Sequence, residues 1–331
     1  MRAETLKDTI KALFPIQRTL CIEGAPGGGK TSIVHEAAKE LGVECRELHM
    51  PTMLVEDFGI LFPEEGSNTL RYKLPEWYPQ AGKAPEKGIL LFDDRNQAGA
   101  DLQKVLANIC QARTLHGVKM PDGWMVVATG NRQEDRAGAN RVLTHLRNRE
   151  TVVSLDTRVE DWYGWALKNN VREEVISFIK FRPDLLHKFE ADKAQNPTPR
   201  SWVEGVSSVL GLVPPEAEYD CFVGAVGEGA AVEFKGYLQV YRDLPDIDYC
   251  IKNPEKADVP TDAIVRYAMS GALASKITKK NIGDVYKYVN RMPAEFVVLT
   301  IQMAQKRDRS IVETDTYFQF TQEHYNVITG R

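Results

Sequence analysis

Cysteine is sparse in this 331-residue chain, and its five copies (Cys21, Cys45, Cys110, Cys221 and Cys250) are odd in number, scattered and never in a CxxC spacing. That argues against a disulfide framework or a thiolate metal cage and fits reduced thiols in a cytoplasmic protein. The six histidines show no ligand spacing either, so no structural metal is expected. Long apolar runs are missing. Stretches such as Phe296-Val-Val-Leu299 fall far short of the roughly 20 residues that cross a bilayer, so no membrane is expected. The N-terminal residues hold no apolar h-region, and no signal peptide is expected. Charge of one sign is also scarce: the formal net charge is −4, and no basic run exceeds the pair Lys279-Lys280. A protein that works by neutralising many phosphates of a nucleic acid needs the opposite balance, so nucleic acid is not favoured as a partner. No N-K-x-D string is present for reading guanine, and there is no internal repeat or low-complexity tract.

What the chain does hold is Gly24-Ala-Pro-Gly-Gly-Gly-Lys-Thr31, a match to G-x-x-x-x-G-K-[ST]. Thr19-Leu-Cys-Ile-Glu23 before it reads as a strand, and Ser32 to Leu41 after it is rich in helix formers. Strand, glycine loop and helix is the context the motif requires. Glycines let the backbone curl so that several N–H groups of residues 24–32 surround one anion: Gly24, Ala25, Gly27, Gly28, Gly29, Lys30, Thr31 and Ser32 have an amide to offer, while Pro26, which has none, shapes the bend. The helix that follows adds the positive end of its dipole. In such a loop Lys30 reaches the β- and γ-phosphates of a nucleotide and Thr31 holds Mg²⁺.

The rest of the first half alternates strands and helices. Leu6, Ile10 and Leu13 predict a short opening helix, and Gly42 suits the stop of the loop helix. Cys45 to Met50 reads as a second strand. Residues 51–87 hold five prolines (Pro51, Pro63, Pro75, Pro79 and Pro85) and the aromatic residues Phe58, Phe62, Tyr72, Trp77 and Tyr78, which predicts a long irregular insert. Gly88-Ile-Leu-Leu-Phe-Asp-Asp94 is an apolar run with two carboxylates at its end, the habit of a strand buried on both faces of a parallel sheet. Trp124 to Thr129 and Thr151 to Leu155 predict two more strands. From about residue 157 the spacing turns helical. Residues 213–260 read as a loop followed by more helix, and Thr261 as the N-cap of a helix over 262–275.

Ligands in open α/β sheets bind at the carboxyl ends of the strands, which places the chemistry. Asp93 is the candidate metal acid beside Thr31, and Asp94 the residue that orients or activates a water. Asn131, directly after the fourth strand, is a neutral amide suited to hold that water or a γ-phosphate oxygen. Arg147 and Arg149 precede the fifth strand. An arginine given to a neighbouring subunit stabilises charge on a transferring phosphoryl group. Arg200, in Pro197-Thr-Pro-Arg-Ser-Trp202, sits near a helix start, where cations are electrostatically misplaced unless a phosphate is close.

These parts in this order resemble the AAA+ ATPases, and among them the MoxR type. Gly24–Thr31 looks like Walker A, Ile89–Asp94 with Arg95-Asn-Gln-Ala98 like Walker B, and Trp124–Arg132 like the sensor 1 strand with Asn131 as the sensor. Leu146–Arg149 is similar to the segment that ends in the arginine finger, favouring Arg149 over Arg147. Thr198–Trp202 is similar to sensor 2, and Asp57-Phe-Gly59 to a D-x-G element of this type. The resemblance implies an α/β fold of the P-loop NTPase AAA+ class, with a parallel sheet in the order 5-1-4-3-2, an all-helical lid and a C-terminal helical extension. The expected divisions are 1–156, 157–212 and 213–331. It further implies ATP and Mg²⁺ as cofactors, hydrolysis to ADP and phosphate, a hexameric homo-oligomeric ring, and a chaperone or remodelling role with a von Willebrand A-type partner. Two departures stand out. Most members carry glutamate where this chain has Asp94, and Arg95 has no assigned role. The alternatives are a nucleic-acid-directed motor on the same fold, or a nucleotide-gated binding module with very slow hydrolysis.

Overall fold

A computed structural model of the chain describes residues 1–66, 68–132, 142–190 and 193–329. The chain forms two compact units, Met1–Thr157 and Arg158–Arg331.

The first unit is built on five parallel strands: β1 (Leu20–Glu23), β2 (Glu44–His49), β5 (Gly88–Asp93), β8 (Trp124–Gly130) and β9 (Thr151–Ser154). Their spatial order is β2-β5-β8-β1-β9. Numbering these five alone along the chain, this is the 5-1-4-3-2 order expected. Strict alternation divides each strand between two cores. Ile89 and Leu91 of β5, Met125 and Val127 of β8, and Leu20 and Ile22 of β1 face Leu6, Ile10, Ile33, Val34 and Ala37. Those partners come from the helices α1 (Ala3–Leu13) and α2 (Lys30–Leu41). Leu90, Phe92, Trp124, Val126, Ala128 and Cys21 face the opposite layer, which holds Leu102, Leu106 and Ile109 of α3 (Ala100–Ala112). A sheet covered on both faces explains the unbroken apolar runs of β5 and β8. The register pairs His49 with Asp93, and Glu23 with both Gly130 and Ser154, so the carboxyl ends line up along one edge.

The insert over 51–87 is more ordered than its prolines suggest. It carries an antiparallel hairpin of β3 (Ile60–Pro63) and β4 (Leu70–Lys73). A second short hairpin joins β6 (Thr114–Leu115) to β7 (Val118–Lys119). Tyr72 stacks on His116 with centroids 3.5 Å apart, and the His116 Nε2 lies 3.1 Å from the Phe58 carbonyl oxygen. Asp57 serves its own turn, accepting from the Leu54 N–H at 2.8 Å.

The helical unit contains α5 (Val159–Lys168), α6 (Glu173–Phe181), a π-helical stretch over Ser201–Ser207, α7 (Pro215–Val226), α8 (Glu228–Arg242), α9 (Ile247–Lys252), α10 (Ala263–Lys276), α11 (Ile282–Val289), α12 (Ala294–Arg307), α13 (Asp315–Glu323) and α14 (Tyr325–Thr329). One apolar core runs from Trp162 to Phe320. At its centre Phe178, Trp202 and Phe234 meet with centroids 5.1–5.5 Å apart, the offset and edge-on geometry that aromatic quadrupoles favour.

The expected loop at the start of 213–260 is instead a pair of helices. Pro214 and Pro215 sit at the N-cap and N1 of α7, where a missing N–H costs nothing. Gly227, at φ +79, makes the corner between α7 and α8, and a Cβ there would lie 2.8 Å from the Gln195 carbonyl oxygen. Asp262 rather than Thr261 caps α10, accepting from Ile264 and Val265 N–H. The π-helical register is seen in Ser208 N–H, which donates to the Val203 carbonyl five residues back at 3.2 Å.

Candidate nucleotide-binding site

The glycine loop leaves the end of β1 and turns into α2. Gly24 N–H donates to the Gly130 carbonyl at 3.1 Å, tying the loop to β8. Gly27 and Gly29 adopt φ of +68 and +90, a region closed to most L-residues. Gly28 is required for space: a Cβ there would stand 2.8 Å from Thr157 Oγ1 and 3.1 Å from the Ala25 carbonyl oxygen. Ala25 and Pro26 form the rising limb of the loop, and Ser32 is exposed in the first turn of α2.

Lys30 is 6% exposed, and its ammonium donates to the Gly24 and Ala25 carbonyls at 3.0 Å each and to Asn131 Oδ1 at 2.9 Å. Asn131 is therefore brought onto the loop lysine. Its backbone is fixed by Asn96, which donates to the Asn131 carbonyl at 2.6 Å and accepts from its N–H at 3.3 Å.

Thr31 Oγ1 donates to Asp93 Oδ1 at 2.5 Å, and Thr129 Oγ1 donates to the same oxygen at 2.6 Å. His49 Nδ1 lies 3.4 Å from Asp93 Oδ2. Burial pushes the Asp93 carboxyl up, but the bonds from Thr129, Thr31 and His49 outweigh it and hold the group below its ordinary value. It is a carboxylate at neutral pH. Ligand atoms of His49, Asp93 and Asp94 all lie within 4.8 Å of one another. Hydroxyl and carboxylate oxygens are the donors a hard divalent cation takes, so Thr31 and Asp93 fit Mg²⁺, and the loop of inward amides fits a phosphate chain.

Asp94 has φ +51 and ψ +43, a left-handed conformation that is uncommon outside glycine and tolerated best by Asn and Asp. Its N–H donates to Thr129 Oγ1 at 2.9 Å, and Gln97 donates to its Oδ2 at 3.3 Å. Thr129 thus serves both acids at once, giving its proton to Asp93 and accepting from the Asp94 amide.

Arg149 is half-buried on the turn between α4 (Thr144–Arg147) and β9. Arg147 is engaged by Glu23, at 3.1 Å. Arg200 belongs to the helical unit and is exposed where the π-helical stretch begins. The geometry of the first unit therefore joins Lys30, Thr31, Asp93, Asp94 and Asn131 along one edge. His49, Asn96 and Thr129 were not singled out in the sequence. Spacing along the chain cannot reveal His49, because its relation to Asp93 is across neighbouring strands; the strand order, once assumed, would have pointed to it.

Fold and site together define a P-loop nucleotide-binding domain of the AAA+ type, with its loop on β1 and its acids on the strand two places away. Residues 20–151 match the family described as "ATPase family associated with various cellular activities (AAA)", so the first unit carries an AAA ATPase-family domain. No sequence among the curated proteins matches the chain. Among solved structures it is similar to a point mutant of RuvB from Thermotoga maritima, at 13% identity over 87% of this chain and 85% of that one, with a TM-score of 0.40. It is also similar to NtrX from Brucella abortus in complex with ADP, at 12% identity over 97% of this chain and 68% of that one, with a TM-score of 0.37. A Cytophaga hutchinsonii protein matches at 11% identity over 98% and 88%, with a TM-score of 0.35. At such scores these likenesses carry no argument; the strand order and the loop do. Among the described residues, no helix is long and apolar enough to cross a membrane.

Proposed function

We propose that the chain binds and hydrolyses ATP as a MoxR-type AAA+ protein, working in the cytoplasm as a homo-oligomeric ring, of six subunits by resemblance, that remodels a protein partner. A von Willebrand A-type protein is the class of partner the resemblance suggests. The division of the helical half at residue 212 into lid and extension belongs to the same proposal. The observation that carries the catalytic part is the bonded set Lys30–Asn131 and Thr31–Asp93–Thr129 at one strand edge.

In this reading the amides of residues 24–32 and the N-terminus of α2 cradle the triphosphate. Lys30 grips the β- and γ-phosphates. Mg²⁺, held by Thr31 and Asp93, would neutralise charge on the phosphate oxygens. Asp94 orients the attacking water and accepts its proton, and Asn131 holds the water or a γ-oxygen. Arg149 acts on a neighbour's nucleotide, and Arg200 meets the phosphates from the helical half. A slowly turning, nucleotide-gated variant of this reading is favoured by Asp94 itself. Its carboxylate is drawn back by about one C–C bond relative to glutamate, and misplacement by about 1 Å can cost ~10²-fold in rate.

The test is direct titration of the purified chain with Mg·ATP, followed by a turnover assay. Lys30→Ala removes charge-assisted bonds to phosphate worth roughly 1.5–3 kcal/mol each, so binding is expected to weaken on the order of a hundredfold. Undiminished binding and turnover in that variant would remove the site.

A further inference from the structure

Arg95 is the residue the nucleotide reading leaves unused, and at 1% exposure it is the most thoroughly buried arginine among the described residues of the first unit. It follows Asp94 directly. Its guanidinium donates to Cys21 Sγ from Nε at 3.1 Å and from Nη2 at 2.9 Å. Nη2 also stands 2.8 Å from Glu150 Oε2 and 3.8 Å from Glu23 Oε1. Glu23 in turn holds Arg147 through its other oxygen, at 3.1 Å. Burial pushes the Cys21 thiol up to about 12, so Cys21 is a neutral acceptor; burial also pushes the Glu150 carboxyl above its ordinary value, with the Arg95 charge opposing.

This network is a poor stabiliser. The Glu150 side chain is fully shielded from solvent. Arg95 Nη1 and both Glu150 oxygens lack an aligned hydrogen bond among the described residues, so the 2.8 Å contact is one of charge rather than of bond geometry. Replacing such a pair by apolar side chains is often neutral for stability, whereas removing one partner strands a buried charge. What the network does is mechanical. It ties three places together: the strand end bearing Asp93 and Asp94, the end of β1 that launches the glycine loop, and the turn of residues 147–150. Arg149 lies between the two residues of that turn that are gripped, Arg147 and Glu150. Its own side chain takes no hydrogen-bond or ion-pair partner among the described residues, so its neighbours hold it in place.

We propose that Arg95 is a positioning residue: it locks the 147–150 turn to the strand end that carries the two acids, and thereby fixes where Arg149 stands. The inference rests on the reading of Arg149 as the arginine that acts on a neighbour's nucleotide. Arg95 does not touch the nucleotide; it acts through Arg149.

The test uses the full chain with Arg95→Met and Glu150→Leu together, which removes both charges and keeps the volume. Hydrogen exchange should rise in the peptide over 146–151 and stay unchanged in the glycine loop over 24–32. Mg·ATP affinity and KM should stay within about twofold, while kcat falls on the order of tenfold to a hundredfold. Adding Arg149→Ala to the pair should slow the enzyme no further than Arg149→Ala alone, because the two changes remove one effect. Arg95→Lys keeps the buried charge answered, and so the fold, but one ammonium cannot span Cys21, Glu150 and Glu23; it should give the same exchange gain and rate loss in smaller measure. Parental exchange over 146–151 in both variants would overturn the proposal, as would rate losses that multiply with that of Arg149→Ala. A parent chain that never hydrolyses ATP would sink the functional reading instead, and the exchange result would still decide whether Arg95 holds the turn.

Discussion

Asp93 and Asp94 carry the same side chain one residue apart, yet the fold gives them different surroundings. Asp93 receives two hydroxyl protons and stays ionised; Asp94 is turned into the left-handed region with its amide pinned by Thr129. Thr129 Oγ1, on a side chain with 0% exposure, bonds to both. Thr129→Val keeps the shape but takes from the Asp94 N–H the Thr129 hydroxyl it donates to, and leaves Asp93 with Thr31 as its one remaining hydroxyl donor among the described residues. An orphaned buried polar group costs roughly 1–3 kcal/mol, so the variant should unfold at lower denaturant by about that amount. It should also hydrolyse ATP at least tenfold more slowly, since a small displacement of a reacting group is enough for that. Chemical denaturation and a turnover assay check the two parts separately. A variant with parental turnover would show that Thr129 packs the strand and does not place the acids.

At the scale of elements, α5, α6 and α12 bring two ammonium groups to one ring. Lys180 Nζ stands 4.0 Å and Lys306 Nζ 4.3 Å from the centroid of Tyr163. Burial lowers the Lys180 pKa below its ordinary 10.5, with Glu160 opposing. Burial likewise lowers Lys306, helped by Lys180 and Lys168. A base whose folded-state pKa is depressed binds its proton less tightly in the folded protein than in the unfolded chain. Below the folded pKa that difference costs stability, and the cost fades as pH rises towards 10.5. Lys180→Met should therefore melt higher than the parent at pH 7, with the gain shrinking to nothing near pH 10.5. If the ring's attraction for the cation outweighed burial, the parent would melt higher at pH 7 and the difference would have the opposite sign. None of this pairing was visible in the sequence, because it is made between separate helices, with α12 far along the chain from α5 and α6. The sheet was visible: Ile89–Phe92 and Trp124–Ala128 are apolar at every position because each strand feeds two cores. The glycine loop and its lysine were equally legible, being contiguous. Residues 213–227 misled because proline and glycine mark both loops and helix ends, and here they mark the ends of α7. The β3–β4 hairpin was hidden in the same way, by prolines that bound its strands rather than break them.

For the whole molecule, the question is whether one chain suffices for hydrolysis. The order β2-β5-β8-β1-β9 puts β9 at an edge of the sheet, and Arg149 stands on the turn that enters it. Arg147, two residues before, is taken by Glu23 within the chain, while the Arg149 side chain has no such partner among the described residues. An arginine so placed suits a head-to-tail interface, in which one subunit's turn faces the next subunit's loop and the contact closes into a ring. Such an interface has an arithmetic consequence. Arg149→Ala keeps the acids and loses the arginine; Asp94→Asn keeps the arginine and loses the carboxylate proposed above to activate the water. Each variant alone should bind Mg·ATP and hydrolyse it at most about a hundredth as fast as the parent. When equal amounts are mixed and allowed to reassemble, about one interface in four joins an intact acid pair to an intact arginine, whatever the ring size. The mixture should recover about a quarter of parental turnover if sites act independently, and the recovery should vanish on dilution below the assembly concentration. A mixture no faster than its parts would mean that Arg149 serves its own chain's site or none. The shared-site reading would then fall, while the nucleotide site on β1 and β5 would stand on its own geometry.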